Sequence, residues 1–218
     1  AGLGGGSSYA ATTFFAANQL TGGEYTDETL AEWASEIGSD LSFFFSTGTC
    51  YCTGRGEILE PLPTGWLDSK LQECDVYLIK PQEGLSTALV FKTLEISECF
   101  QDESTSLLES FRDGNDHEPK YRLLNDLEKP AFRLVPELMK LNRDLMDVYG
   151  FQHVCMSGSG TTIFCLDMNP ESSQGTDSPI SASKNDEWIV DIMQKWAVIV
   201  VKTKFINRSK NSWYEFCN

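Results

Sequence analysis

The sequence is poor in positive charge and contains few histidines. Its 17 lysine and arginine residues are outnumbered by 32 acidic residues, which gives a net charge of −15 at pH 7, and it has 2 histidines. Proteins that bind nucleic acids usually carry a basic surface that neutralises phosphates, so we expect no nucleic-acid partner. A small anionic ligand is still compatible with this charge, because backbone N–H groups can bind one locally.

Long hydrophobic runs are also missing. The longest apolar stretch near the C-terminus, from Trp196 to Val201, has the length of one β-strand, whereas a membrane-spanning helix needs about 20 apolar residues. We therefore expect no membrane partner. The sequence starts at Ala1 rather than at a methionine, and inside a glycine loop. We expect it to be the later part of a longer protein, with any targeting peptide upstream.

No cysteine pattern typical of a disulfide framework or a zinc site is present. The 7 cysteines are an odd number, and Cys50 and Cys52 form a C-x-C rather than a C-x-x-C pair. We expect reduced, structural thiols in a reducing compartment. Hydrophobic residues make up 41% of the chain and aromatic residues 11%, a composition typical of a globular protein rather than a disordered one.

Strand and helix signals alternate along the chain and favour an α+β fold. Capping residues, apolar spacing and glycine stops predict helices at 9–20, 26–37, 86–94, 136–149 and 187–196. Strands are predicted at 49–53, 57–59, 75–80, 153–156, 162–166 and 197–201. Two polar stretches have little apolar periodicity: an acidic surface insertion at 97–120, with a short helix at 104–112, and a linker at 169–186.

Three of these helices carry specific expectations. The run 9–20 is rich in alanine and aromatic residues, so we expect a buried helix with Ser7 and Ser8 at its N-cap. The second helix should begin at an N-cap Thr26 and bury one apolar face, formed by Leu30, Trp33, Ala34 and Ile37. The helix that starts at Pro136 should bury Leu138, Leu141, Leu145 and Val148.

The first candidate site is the segment Gly2-Leu3-Gly4-Gly5-Gly6-Ser7-Ser8, which precedes a predicted helix. Glycines let backbone N–H groups approach phosphate oxygens, and the helix start adds unpaired donors and a favourable dipole. Two hydroxyl groups there can bind phosphate or a metal ion. The segment lacks the Gly-Lys-Ser/Thr ending of a Walker A loop and fits a dinucleotide fingerprint poorly. The alternative is a flexible glycine loop without a ligand.

The second candidate is Asp40, in Gly38-Ser39-Asp40-Leu41-Ser42 followed by Phe43–Phe45. A partly buried aspartate between a helix end and aromatic residues can accept a proton from a substrate hydroxyl. A turn or helix-capping aspartate is the alternative.

The third candidate is Met156-Ser157-Gly158-Ser159-Gly160-Thr161-Thr162, between two predicted strands. It is either a loop that closes over phosphates or a plain hairpin turn.

Together the three segments resemble the motifs of GHMP kinases in order and spacing. That family has a Pro-x-x-x-Gly-Leu-Gly-Ser-Ser-Ala-like loop and a later glycine-rich loop near the C-terminus. Five segments narrow the resemblance to the plant-type 4-diphosphocytidyl-2-C-methyl-D-erythritol kinase family: GLGGGSS at 2–8, GSD-x-x-FFF at 38–45, TGRGE at 53–57, NDLE at 125–128 and MSGSGTT at 156–162. The tail at 205–208, with Trp213 and Tyr214, is similar to the plant-type enzymes as well.

The resemblance covers nearly the whole chain and implies a fold of two α+β halves. The first half, at 1–72, would be the remainder of an ATP-binding domain like domain 2 of ribosomal protein S5, and the second, at 73–218, would be ferredoxin-like. The implied reaction transfers a phosphoryl group from ATP, with Mg²⁺, to the 2-hydroxyl of the cytidine-diphosphate-linked methylerythritol. This step belongs to non-mevalonate isoprenoid synthesis in plastids and bacteria. We accordingly expect a plastid protein that is a monomer or a weak homodimer.

The resemblance also assigns roles to individual residues. Asp40 matches the catalytic aspartate, and Thr87 and Phe91 match positions that line the substrate pocket. Ser8 would hold the metal ion. The ATP-phosphate loop would consist of Ala1, Gly2, Leu3, Gly4, Gly5, Gly6, Ser7 and Ser8. The third segment would close over the phosphates through Gly158, Ser159 and Gly160.

Some positions depart from the family pattern. Tyr9 stands where Asp or Asn is usual and should crowd the helix start, and Ser42 stands where Pro is usual and should loosen the turn at Asp40. The family's catalytic lysine and cytosine-stacking residues belong to a region that would precede Ala1, so we expect this stretch alone to be inactive. Two alternatives remain open: a GHMP kinase for another alcohol, such as mevalonate or homoserine, and a scaffold without catalysis.

Overall fold

The structure, a computed structural model, describes residues 2–62, 74–100, 123–167, 187–208 and 213. The helix predicted at 104–112 and the linker predicted at 169–186 lie outside these residues, as does Ala1. Within the described part of the chain, no helix is long and apolar enough to span a membrane. The chain forms two compact units, which we call the helix unit (Gly4–Gly65 with Ile206–Asn218) and the sheet unit (Ala1–Leu3 with Trp66–Phe205).

The helix unit packs two helices and a short 3₁₀ helix beside a hairpin. Its elements are α1 (Gly5–Leu20), α2 (Asp27–Ser35), the 3₁₀ helix (Ser39–Phe45), β1 (Cys50–Thr53) and β2 (Ile58–Pro61). The strands β1 and β2 are antiparallel and pair Thr53 with Ile58 next to the turn. The predicted cap of α2 is confirmed, because the Thr26 hydroxyl accepts a hydrogen bond from the Thr29 N–H at 3.3 Å. The core consists of Ala11, Leu30, Ala34, Leu41 and Phe45.

The predictions for α1 are wrong in two respects. The helix begins at Gly5 with Gly4 at its N-cap, so Ser7 and Ser8 lie in the first turn rather than at the cap. The buried residues of α1 are Ala11 and Asn18. It is therefore a surface helix with a narrow contact to the core, because the small side chain of Ala11 allows close packing without a wide apolar face.

The predicted apolar face of α2 is half correct. Leu30 and Ala34 are 2% and 0% exposed, whereas Trp33 and Ile37 are 45% and 70% exposed. Ile37 lies beyond the last helical residue, Ser35, so helical spacing no longer places it over the core. Trp33 makes an edge contact with Tyr25 instead, with ring centroids 4.7 Å apart.

The sheet unit has the βαββαβ order of a ferredoxin-like fold, which confirms the fold expected for the second half. Its elements are β3 (Asp75–Pro81), α3 (Thr87–Thr93), α4 (Glu128–Leu134), α5 (Pro136–Asp147), β4 (His153–Met156), β5 (Ile163–Asp167), α6 (Glu187–Trp196) and β6 (Val198–Thr203), with a 3₁₀ turn at Ile96–Glu98. The strands are ordered β4-β5-β3-β6, and every neighbouring pair is antiparallel.

One face of this sheet carries the main core. Tyr77 and Ile79 of β3 pack with residues of α5 and α6, among them Leu141, Leu145 and Ile192. The predicted burial of Leu138, Leu141 and Leu145 is confirmed, but Val148 is 50% exposed. Val148 follows the last residue of α5, and Gly150 then turns the chain with a positive φ of 75°.

Candidate functional site

The start of α1 is built from glycines that leave its first N–H groups uncovered. Gly4 adopts a left-handed conformation with φ 62°, and a Cβ there would lie 2.8 Å from the Phe44 ring, so the position requires glycine. A Cβ at Gly5 or Gly6 would meet no atom within 4 Å. The Ser8 hydroxyl donates to the Gly5 carbonyl oxygen at 3.0 Å, which leaves its own oxygen able to accept. Because the first N–H groups of a helix have no helical acceptor, this end offers donors to an anion.

The two departures from the family pattern do not have the expected effects. Tyr9 is 78% exposed, so its side chain extends into solvent and does not crowd the helix start. Ser42 is 2% exposed, and its hydroxyl donates to the Ala31 carbonyl oxygen at 3.2 Å. This bond ties the 3₁₀ helix to α2, so Ser42 secures the segment that carries Asp40 instead of loosening it.

Asp40 lies in the first turn of the 3₁₀ helix, directly after its first residue. The prediction that its carboxylate is partly buried is wrong, because Asp40 is exposed. The same helix buries Leu41, Ser42 and Phe45 against the helix unit. The backbone that carries Asp40 is therefore held by packing, while the carboxylate itself is accessible to a solute.

The β1–β2 hairpin lies beside Asp40 within the helix unit. A Cβ at Gly56, in the hairpin turn, would lie 3.8 Å from the Asp40 Oδ1 atom. Burial raises the pKa of the Cys52 thiol on β1, and the nearby Cys50 and the charge of Asp40 raise this pKa further. A thiol with a raised pKa is uncharged at neutral pH, so Cys52 adds no negative charge next to Asp40.

The hairpin turn, Thr53–Glu57, is ordered by the side chain of Glu57, its last residue. Gly54 and Gly56 both have positive φ, of 70° and 116°. The Arg55 N–H donates to the Glu57 carboxylate at 2.6 Å. Hydrogen bonds from the backbone N–H groups of Glu57 and Arg55 lower the pKa of the Glu57 carboxyl. The carboxylate therefore folds back on the turn and fixes the loop that faces Asp40.

In the sheet unit, Gly2 lies directly on the glycine turn between β4 and β5. The Ser157 hydroxyl donates a hydrogen bond to the Gly2 carbonyl oxygen. Gly2 has φ 84°, and a Cβ there would lie 2.6 Å from the Ser157 carbonyl oxygen and 3.1 Å from that of Gly160. No other residue fits this close approach. Gly2, from one segment predicted to bind phosphate, thus touches the turn of the other.

The glycines of the turn are also required by its geometry. Gly158 and Gly160 have positive φ, of 53° and 82°. A Cβ at Gly160 would lie 2.6 Å from the Met156 Sδ atom. The next residue, Thr161, is fully buried; its hydroxyl donates to the Glu83 carbonyl oxygen at 2.8 Å and lies 3.0 Å from the Lys80 Nζ atom.

The two residues matched to the substrate pocket lie on α3, four positions apart and hence on one face of that helix. The Thr87 hydroxyl forms a hydrogen bond of 2.8 Å with the Ser159 hydroxyl. Phe91 is 55% exposed, so its ring is available to a ligand. The structure therefore brings Thr87 together with a residue of the glycine turn.

Sequence reasoning did not identify the residues that hold the glycine turn. The Asn125 side-chain amide donates to the carbonyl oxygens of Met156 at 2.6 Å and Gly158 at 2.8 Å. The Glu128 carboxylate accepts a hydrogen bond from the Met156 N–H at 2.8 Å. Both belong to the segment NDLE at 125–128, which carries part of the family resemblance but has no local pattern that indicates these contacts.

A metal ion bound by the described residues would need ligands beyond carboxylates, thiols and imidazoles. Within the described ranges, no group of three or more His, Cys, Asp or Glu residues could hold one. The hydroxyl of Ser8 is compatible with a magnesium ion that takes its remaining ligands from water and from phosphates, as Mg²⁺ commonly does.

Comparisons with known proteins identify the family. The family model for the GHMP kinases N terminal domain matches residues 1–48. A 4-diphosphocytidyl-2-C-methyl-D-erythritol kinase from Protochlamydia amoebophila is 42% identical over 98% of this chain and 61% of its own length. The chloroplastic enzyme of that name from Arabidopsis thaliana is 39% identical over 99% of this chain and 51% of its own length. The chain thus spans only part of each relative.

Solved structures agree with this result. A crystal structure of 4-(cytidine 5'-diphospho)-2C-methyl-D-erythritol kinase matches with a TM-score of 0.61 at 30% identity, over 93% of this chain and 65% of that one. A homoserine kinase from Cytophaga hutchinsonii matches with a TM-score of 0.63 at 16% identity, over 96% of this chain and 67% of that one. The latter supports the fold alone. The chain belongs to the GHMP kinase family and is similar, within it, to the 4-diphosphocytidyl-2-C-methyl-D-erythritol kinases.

Proposed function

We propose that the protein containing this chain transfers a phosphoryl group from ATP to the 2-hydroxyl of 4-diphosphocytidyl-2-C-methyl-D-erythritol, a step of non-mevalonate isoprenoid synthesis. The observation that carries the proposal is the identity of 42% to a kinase of that name, which extends over 98% of the chain. The contact of Gly2 with the Ser157–Gly160 turn, within the sheet unit, agrees with it, because each partner belongs to a segment proposed for phosphate binding.

ATP phosphates would bind at residues 1–8, with the start of α1 as the donor group. Support comes from the open space around Gly5 and Gly6 and from the unpaired N–H groups of a helix start. When bound, Mg²⁺ would neutralise phosphate charge and orient the nucleotide. Ser8 is the residue of this chain that would hold it, because its hydroxyl oxygen lies in the first helical turn.

Asp40 would accept the proton of the substrate hydroxyl. Its exposure makes it reachable, and the buried residues of the 3₁₀ helix hold its backbone in one place. Phosphoryl transfer depends mainly on positioning and charge neutralisation, and a positioned base adds about 10²–10⁴ in rate. The proton leaves the hydroxyl as its oxygen bonds to phosphorus, and ADP leaves with the electron pair of the broken bond.

The glycine turn at 158–160 would close over the phosphates, and Thr87 and Phe91 would line the pocket for the alcohol. The Thr87–Ser159 hydrogen bond of 2.8 Å supports a common site, because it connects one residue proposed for each ligand. The exposed ring of Phe91 supports its role as an apolar wall. A plastid location is proposed because the Arabidopsis relative is named as chloroplastic.

A coupled assay for ADP release tests the proposal. Protein produced from the complete coding sequence should release ADP with the cytidine-linked alcohol and should not do so with mevalonate or homoserine. Equal turnover with mevalonate would overturn the proposed substrate. No turnover with any of the three alcohols, from a protein that melts cooperatively, would overturn the proposed kinase activity.

A further inference from the structure

Asn125 uses its whole side chain to bind backbone groups. Its amide Nδ2 donates to the carbonyl oxygens of Met156 and Gly158, at 2.6 and 2.8 Å. Its Oδ1 accepts from the Leu127 N–H at 2.9 Å. Since both ends of the amide are occupied, the side chain cannot rotate without losing three hydrogen bonds. Asn125 is therefore a fixed donor aimed at the glycine turn.

The bond to Gly158 determines the orientation of one peptide group. In a trans peptide the C=O and the following N–H point in opposite directions. The Gly158 carbonyl points at Asn125, so the Ser159 N–H points away from it. Among the residues that the structure describes, the N–H groups of Gly158 and Ser159 donate no backbone hydrogen bond. A pair of successive N–H groups in such a turn is an anion-binding arrangement.

Without Asn125 this orientation would not be unique. Gly158 has φ 53°, and a peptide next to a glycine reverses at low cost, because glycine populates both signs of φ. A reversed peptide would point the Gly158 carbonyl oxygen, rather than the Ser159 N–H, toward a bound anion. Glu128 accepts from the Met156 N–H, so it holds the start of the turn but not this peptide.

We propose that Asn125 is a positioning residue that orients the Gly158–Ser159 peptide, so that the Ser159 N–H donates to a phosphate oxygen of the bound nucleotide. The inference rests on the proposed function, because it assigns the turn to phosphate. Asn125 lies outside both glycine segments and would control one backbone donor, the Ser159 N–H. The side chain of Asn125 bonds to backbone groups, so it would act on the phosphate through the turn.

The test compares two exchanges of the same kind at neighbouring positions. Asn125→Asp keeps the size and the acceptor for Leu127, but it replaces the donor with an oxygen that faces two carbonyl oxygens. Asp126→Asn is the matched control, because Asp126 accepts from the Phe100 N–H at 2.9 Å and an amide oxygen still can. Asn125→Asp should lose the hydrogen bond from the Ser159 N–H to the charged phosphate. We therefore expect kcat/KM for ATP to fall by about 10- to 100-fold. Asp126→Asn should stay within about twofold.

A second readout does not depend on turnover. The backbone amide signal of Ser159, followed by NMR, should shift when a non-hydrolysable ATP analogue and Mg²⁺ are added to the wild-type protein. The shift should be absent in Asn125→Asp at the same occupancy. A wild-type protein that binds the analogue without a change at Ser159 would overturn the inference, as would an Asn125→Asp variant with unchanged kcat/KM for ATP. The analogue experiment needs no alcohol, so it tests the role of Asn125 even if the proposed alcohol substrate is wrong.

Discussion

The hydroxyl oxygens of Thr87 and Ser159 lie 2.8 Å apart and join the start of α3 to the glycine turn of the sheet unit. Thr87 is proposed for the alcohol pocket, and Ser159 belongs to the turn proposed for phosphate. A single hydrogen bond therefore links the two halves of the proposed site. Both side chains are small, so the link depends on the position of α3 rather than on a flexible side chain.

This link predicts an energetic coupling between the two residues. Thr87→Val and Ser159→Ala each remove one hydroxyl, and the double variant should lose less than the sum of the single losses. The coupling in kcat/KM for the alcohol should be about 0.5–1.5 kcal/mol, the value of one hydrogen bond. The control is Thr93→Val on the same helix, whose hydroxyl donates to the Leu89 carbonyl oxygen. Strictly additive losses would contradict a functional bond.

Replacement of Asp40 by asparagine tests its assignment as the base. The amide keeps the shape but cannot accept the proton, so kcat should fall by about 10² or more while the KM for ATP changes little. The matched control is Glu36→Gln, an exposed carboxylate at the end of α2, which should leave kcat unchanged. A value of kcat for Asp40→Asn within about threefold of the wild type would leave Asp40 as a turn residue.

Two glycine-to-alanine exchanges should affect different properties, one the stability of the fold and the other the binding of ATP. At Gly160, φ is 82° and a Cβ would lie 2.6 Å from the Met156 Sδ atom, so alanine should cost about 1–3 kcal/mol of unfolding free energy. At Gly5, a Cβ meets nothing within 4 Å, so alanine should leave the melting temperature unchanged or slightly higher. The alanine methyl group at position 5 would occupy space proposed for phosphate, so Gly5→Ala should raise the KM for ATP. Thermal melts and steady-state kinetics check both expectations.

Lys202 should stabilise the sheet unit across the neutral pH range. Its Nζ lies 2.7 Å from the Asp75 carboxylate, and this hydrogen bond raises the pKa of Lys202 above its ordinary value of 10.5. A raised folded-state pKa means that the stabilisation is complete below the ordinary pKa and disappears as the pH rises through the folded-state value. Because Lys202 is half exposed, its replacement by methionine should cost only about 0.5–1 kcal/mol.

Urea unfolding at several pH values measures this difference. The gap between the wild type and Lys202→Met should be constant from about pH 6 to pH 9 and should shrink only above the ordinary lysine pKa. Lys140→Met is the control, because Lys140 and Glu137 are 63% and 62% exposed and 3.9 Å apart. A gap that closes already near neutral pH would show that the ion pair is not its cause.

Arg208 should contribute measurably to the stability of the helix unit. Its Nη2 donates to the carbonyl oxygens of Phe45 at 2.9 Å and Ser46 at 3.1 Å, and its guanidinium lies 4.2 Å from the centre of the Trp213 ring. Lysine cannot reproduce a planar group that bonds and stacks at once, so Arg208→Lys should lose about 1–3 kcal/mol. The exposed Arg143→Lys should have no effect on the melting temperature. Equal melting of both variants would contradict the assignment.

Local signals made several elements predictable from the sequence. The strand β3 and helix α5 follow from apolar spacing and from Pro136 at a first-turn position, because these patterns need no knowledge of distant residues. Helix α4 was missed, although Pro130 is its third residue. A proline is tolerated there, since the N–H groups of a first turn have no acceptor in the helix.

The contacts of the site were less predictable than its glycine segments. Asn125 lies 31 and 33 residues before the two carbonyl groups that it binds, so no local pattern indicates the contact. The exposure of Asp40 was not foreseen either, because the aromatic run after it suggested burial, whereas Phe43 is itself 40% exposed. Both depend on how the chain packs, which periodicity does not encode.

The helix unit is assembled from both ends of this stretch of chain. The Trp213 ring stacks on Phe15 at a centroid distance of 4.4 Å, and its Nε1 donates to Asp27, which precedes it by 186 residues. During synthesis, α1 and α2 therefore leave the ribosome long before the residue that completes their core. Until Trp213 emerges, the ring that contacts Phe15 and Phe45 is missing, and a chaperone that holds the nascent chain would bind at this incomplete aromatic cluster.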